Sequence, residues 1–150
     1  MAVSPRASVQ DLEARERDFE ELERIFSPAR QELEPLYAKI QICSEIGTIV
    51  SDDLQPEAKA QFERYRWQAT AAMLRLNVTT IGKLKKMELE TETGKERRAG
   101  IVATYTKHFE TVEASFKECI RSLRMSETRA KHELADEIER ELKDISRSHA

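Results

Sequence analysis

The chain has 150 residues, 39% hydrophobic and 35% charged, with four glycines, four prolines and a net charge of −3. One domain is the default at this length, and a composition so rich in charge and so poor in glycine and proline suits long amphipathic helices and starves a sheet of turns. The slightly acidic balance excludes a global attraction for DNA or RNA, and no run approaches the ~20 apolar residues that would cross a bilayer.

Residues 1–7 read as a loose tail, with no secretory or targeting signal expected. Ser8 and Asp11 then offer a capping box. From Phe19 an apolar stripe runs in steps of three and four through Leu22, Phe26, Ala29, Leu33, Leu36, Ile40, Cys43, Gly47 and Val50. That spacing is helical. The stripe crosses Pro28 and Pro35 without losing register, although each proline removes a helical hydrogen bond. The pattern predicts one bent helix, or two coaxial helices with Ser27 as a cap.

The segment SDDLQ at 51–55 breaks the pattern, and Pro56 suits a helix start. A second helix is expected over 56–91. Its main stripe is Phe62, Tyr65, Ala69, Met73, Leu76, Thr80, Leu84 and Met87. A second stripe, Trp67, Ala71, Leu74, Val78 and Ile81, runs beside it. A helix apolar on two sides is buried by two neighbours or awaits one. The second stripe therefore either completes the internal core, lines a groove with the third helix for a fourth, with Trp67 as anchor, or makes a homodimer contact.

Thr93 and Glu96 fit a capping box that opens a third helix over 94–125, with Val102, Tyr105, Phe109, Val112, Phe116, Cys119 and Leu123 on one face. Residues 126–150 are dense in charge and place Leu134, Ile138, Leu142 and Ile145 at helical spacing. They read as a helical extension or linker. The expected fold is all-α: an antiparallel up-down-up three-helix bundle over 8–125 with a C-terminal helical extension.

Catalytic readings fail on residue identity. Gly94-Lys95 lacks the flanking residues of a phosphate loop, because Leu89 and Glu96 stand where glycine and Ser/Thr are needed. His132-Glu133 begins like a zinc-protease helix, but Asp136 occupies the second histidine position. No Glu-x-x-His pair offers a di-iron site. Cys43 and Cys119 lie on apolar stripes and read as free thiols of the core in a reducing compartment. His108 reads as a boundary residue. No enzyme activity, cofactor or metal is expected.

Lys83, Lys85, Lys86, Lys95, Arg97 and Arg98 cluster around the second connection, interleaved with Glu88, Glu90, Glu92 and Glu96. No aromatic stacking set accompanies them. They read as a self-neutralising end of the bundle rather than a nucleic-acid site, a reading that steeply salt-dependent binding would overturn.

The order of these features resembles the N-terminal regulatory Habc domain of syntaxins, the Qa-type SNARE proteins. Residues 18–25, DFEELERI with Phe19 as anchor, resemble the acidic start of that domain's first helix. Leu84-Lys-Lys-Met-Glu88 resembles the end of its second. Arg98, followed eleven residues later by Phe109 and then by Phe116, resembles its third. The likeness spans roughly residues 12–135. It implies a non-catalytic domain at the cytoplasmic face of a membrane compartment, with no membrane insertion of its own. It also implies control of SNARE assembly through a SNARE-motif helix, its own or a partner's, and through a regulator of the Sec/Munc class. A SNARE motif and anchor are absent from these residues, so only the regulatory part is represented, either excised or as a divergent relative. Heptad stripes serve intramolecular and intermolecular packing alike, so the oligomeric state stays open, with a monomer favoured. The competing class is a helical scaffold or dimerising coiled-coil module unrelated to fusion.

Overall fold

The computed structural model describes residues 8–50 and 56–149, without the side chains of 47–50, 56 and 57. The expected tail at 1–7, the 51–55 connection and the stripe members Gly47 and Val50 thus lie outside the described residues or side chains. The described residues form four helices and no strand: α1 (Val9–Val50), α2 (Pro56–Lys86), α3 (Glu92–Arg124) and α4 (Arg129–His149).

The Ser8 box is present: the Asp11 amide donates to Ser8 Oγ at 3.1 Å, and the Ser8 amide donates to Asp11 Oδ2 at 3.2 Å. Helix α1 then continues for 42 residues through both prolines. The lost bonds at Pro28 and Pro35 are tolerated because the stripe on either side of each ring faces one neighbour, α2. Leu22, Ala29 and Leu33 are buried there.

The corner between α2 and α3 differs from the expectation. Helix α2 ends at Lys86 and α3 starts at Glu92, with Thr91 as N-cap; its hydroxyl accepts from the Gly94 amide at 3.0 Å. The cap is thus two residues earlier than Thr93. The physical reason is Asp18 of α1, a buried carboxylate whose oxygens accept from the Glu90 amide at 2.9 Å, the Thr91 amide at 2.8 Å and the Thr91 hydroxyl at 2.6 Å. Unwinding α2 after Lys86 frees those donors for Asp18 and lets Leu89 pack with Leu22 and Leu84.

The C-terminal segment is also different. Residues 129–149 are not a free extension: α4 packs against both α2 and α3. It runs beside α2 in the same direction, with Arg64–Glu137 at 2.9 Å and Arg75–Asp144 at 3.3 Å. It runs antiparallel to α3, with Arg124–Glu139 at 2.7 Å near its start and His149 stacked on Phe109 at its end. Leu134, Ala135, Ile138, Leu142 and Ile145 of α4 are all buried. The three-helix core is completed by a fourth helix because four large apolar side chains on one face suffice to bury a helix whose other faces are charged.

Two apolar clusters result. The larger joins Trp67, Ala71 and Leu74 of α2 to Phe109, Phe116 and Ile120 of α3 and to the buried face of α4, with Leu33 of α1 at its margin. The smaller gathers Leu22, Leu84 and Leu89, with Ile25, Met87, Ile101 and Val102 against them, beside the Asp18 corner. Helices α1 and α4 lie against different sides of the α2/α3 pair and make no close backbone approach to each other among the described residues.

Candidate functional site: the helix-receiving groove of α2 and α3

Three of the four groove residues expected on the second stripe of α2 are buried: Trp67 at 2% exposed, Leu74 at 0% and Ile81 at 3%. Val78 is half-buried against the larger cluster. Trp67 packs on Phe116 of α3 with ring centroids 4.7 Å apart, and the Arg66 guanidinium lies over the same Phe116 ring at 5.4 Å. The stripe is shared between α3 and α4 and has no open apolar face. The stripe thus belongs to the internal core, and the chain's own α4 occupies the groove between α2 and α3.

Polar contacts line both edges of this groove. On the α2 side stand the Arg64–Glu137 and Arg75–Asp144 pairs. On the α3 side Arg124 bridges Asp136 at 3.1 Å and Glu139 at 2.7 Å, and the Ser146 hydroxyl donates to Glu113. The Arg124 contacts hold the Glu139 carboxyl below its ordinary value, with Lys143 adding to the effect. These pairs are exposed enough that each contributes little stability, but they fix the register of α4. Beneath them Thr70 and Thr80 return their hydroxyls to the backbone, to Arg66 O and Leu76 O. Asn77 is fully buried in α2, and neither of its amide atoms meets a protein partner.

The family-pattern positions fall into three groups. Leu84, Phe109 and Phe116 are core residues at 0%, 2% and 6% exposed. Phe19 and Glu88 are exposed. Arg98 is half-buried and donates to the Met87 carbonyl, tying α3 to the end of α2. Arg97 lies over the Phe19 ring at 5.7 Å. The basic cluster is therefore partly structural: Arg98 closes the corner, Lys95 pairs with Glu92 at 3.5 Å, and Lys83 and Lys86 line a separate hollow between α1 and α2 together with Arg24.

Sequence reasoning missed Asp18. It read the residue only as part of an acidic helix start, yet this carboxylate organises the α2–α3 corner. Burial pushes its pKa upward, but the Thr91 hydroxyl, the Glu90 and Thr91 amides and nearby Arg17 outweigh that and hold it below the usual carboxylate value. The available signal was Gly94: a Cβ there would stand 2.8 Å from Asp18 Cβ, so only glycine admits the carboxylate this close.

Both cysteines are free and half-buried; burial first, and Glu63 second, push the Cys119 thiol above its ordinary value. No group of three or more His, Cys, Asp or Glu that could hold a metal occurs among the described residues, and no described helix is long and apolar enough to cross a membrane. Comparison of the chain with protein-family models, with curated proteins and with solved structures finds no match.

Proposed function

We propose that the chain is a non-catalytic helical interaction domain of the syntaxin regulatory kind. It acts at the cytoplasmic face of a membrane compartment, where it controls SNARE assembly by receiving an amphipathic helix between α2 and α3 and by binding a Sec/Munc-type regulator. The observation that carries this reading is the seating of α4. A charged helix with a single apolar face, Leu134, Ile138, Leu142 and Ile145, lies in register against Trp67, Leu74, Phe109 and Phe116. That is helix-in-groove recognition made within one chain. A partner helix with the same spacing would use the same groove in competition with α4.

The test is a titration of a labelled SNARE-motif helix against the chain and against Leu134→Asp/Ile138→Asp, which expels α4. The expected result is weak binding to the parent chain and at least tenfold tighter binding to the variant, provided circular dichroism shows α1–α3 still folded. No binding to either, with α1–α3 intact, would remove the syntaxin reading. The scaffold or dimerising coiled-coil reading draws on a different feature, the exposed apolar positions Val9, Leu12 and Phe19 of α1. Sedimentation that shows a stable dimer at micromolar concentration would favour it.

A further inference from the structure

The α2/α3 groove is filled, but a second furrow on another face is not filled by any of the described residues. Leu12, Glu16, Phe19, Glu23, Phe26, Arg30, Glu34 and Tyr37 follow one another along α1 in steps of three and four, and so share one flank. That flank looks across to Arg97, Ile101, Thr104, Tyr105 and His108 of α3. Phe26 stacks on Tyr105 at 5.8 Å, Tyr37 meets His108 edge-on at 6.3 Å, and Arg97 covers Phe19. Of the packed helix pairs, α1 and α3 approach each other least. A hollow of about 430 Å³ opens between them, lined by Phe26, Arg97, Gly100, Ile101, Thr104 and Tyr105.

This furrow has the composition of a binding surface. Leu12 at 54%, Phe19 at 41% and Tyr37 at 42% are exposed large apolar residues, and arginine lies against aromatic rings at two places, Arg97 on Phe19 and Arg30 on Phe26. Aromatic and arginine side chains are those enriched where interfaces carry their energy. Leu12, Phe19 and Phe26 are seven residues apart, the repeat that fits the side of another helix. The first buried residue of α1 is Asp18, and Val9 and Leu12, in the turns before it, are exposed among the described residues.

The charges along the furrow decide what fits it. On the α1 rim, Glu23 is neutralised by Arg30 at 2.5 Å, but Glu16 and Glu34 have no ion-pair partner among the described residues. The α3 rim from Arg97 through Thr104 to His108 and Thr111 carries no carboxylate, and Arg97 has no acidic partner among the described residues. Two copies packed α1 against α1 would bring the unpaired Glu16 and Glu34 of each together. A helix with the opposite charges on that flank would not meet this repulsion.

We propose that the α1/α3 furrow binds an amphipathic helix of another protein, with aliphatic residues at heptad spacing on Leu12, Phe19 and Phe26, a further apolar contact on Tyr37, and lysine or arginine on the flank that meets Glu16 and Glu34. This surface is distinct from the groove that holds α4, and the assignment does not depend on that groove or on the syntaxin reading.

The probe is a pair of synthetic helices, each roughly four heptads long with leucine at the heptad positions, one with lysine and one with glutamate on the flank facing α1. Fluorescence anisotropy with the full chain should show binding of the lysine-flanked helix, with Kd of order 10 μM, that weakens with salt, and at least tenfold weaker binding of the glutamate-flanked one. Phe19→Ser/Tyr37→Ser changes only exposed side chains; it should leave melting within a few degrees and weaken the lysine-flanked helix about tenfold. Glu16→Lys/Glu34→Lys should reverse the preference between the two helices, an outcome that loss of folding would not produce. Equal binding of both helices, binding of neither, or an unchanged preference in the charge-reversed variant would overturn the proposal. So would a concentration-dependent dimer of the parent chain that Phe19→Ser abolishes, which would assign the furrow to a second copy.

Discussion

The two ends of the bundle are held by different physics. At the end where α4 lies, Trp67, Leu74, Phe109, Phe116, Leu134 and Ile138 fill a continuous apolar core, and the charged contacts at its rim only set register. At the α2–α3 corner the apolar cluster is small, Leu22, Leu84 and Leu89, and a buried carboxylate with three donors takes the place of a larger core. An apolar core tolerates changes of shape with graded loss. A buried carboxylate tolerates almost none, because each donor left without it keeps its desolvation penalty.

The largest expected effect belongs to the apolar end. Ile138→Ala removes a fully buried side chain between three helices and should destabilise by about 2–5 kcal/mol in chemical denaturation. If the loss is below 1 kcal/mol, α4 is not packed in solution as it is in the structure. Asp18→Ala comes next. It strands the Glu90 and Thr91 amides and should cost about 2–3 kcal/mol.

The same carboxylate makes the corner sensitive to acid through a buried group, whereas the lowered carboxyl at the other end, Glu139, is an exposed rim residue. Its folded pKa lies below the ordinary value of 3.8, so its contribution is complete above that value and lost as pH falls through the folded one. Denaturation midpoints followed below pH 4 should therefore fall faster for the parent chain than for Asp18→Asn. Parallel curves would show that the clasp carries no pH-dependent stability.

Gly94→Ala tests the closeness of that corner without touching the charge. The added methyl meets Asp18 at 2.8 Å from its Cβ and should cost about 1–3 kcal/mol in melting experiments, although alanine is the better helix former. Gly82→Ala gives the smallest effect and the opposite sign. A Cβ there meets nothing within 4 Å, so the substitution should stabilise by about 0.5–1 kcal/mol. A Gly82→Ala variant that melts lower would mean that α2 is packed more tightly on that face than described.

Much of this was legible in the residues. The stripes on α1, α2 and α3 are sets of apolar residues at helical period, and the core uses their members Leu22, Leu33, Met73, Leu84, Phe109 and Phe116. The double stripe on α2 signalled more than one packing face but left open whether the second met the internal core, a fourth helix or a second copy; the structure places α3 and α4 there. Two features were hidden. The packing of α4 was masked by its charge, since Leu134, Ile138, Leu142 and Ile145 are few among many Glu, Lys and Arg, and only burial distinguishes such a helix from a solvated linker. The corner was misplaced because Thr91 and Thr93 are equally good caps locally; a carboxylate from seventy-odd residues away selected Thr91.

Local order in the chain determined that this protein is helical, where most of its helices run and which faces they bury, because helix period and capping chemistry act over a few residues. Tertiary structure alone decided that α4 fills the α2/α3 groove, that Asp18 closes the corner, and that no described segment covers the Phe19–Tyr37 flank of α1. Each of those depends on contacts between segments far apart in sequence, and no local pattern records which of two suitable partners a surface will meet.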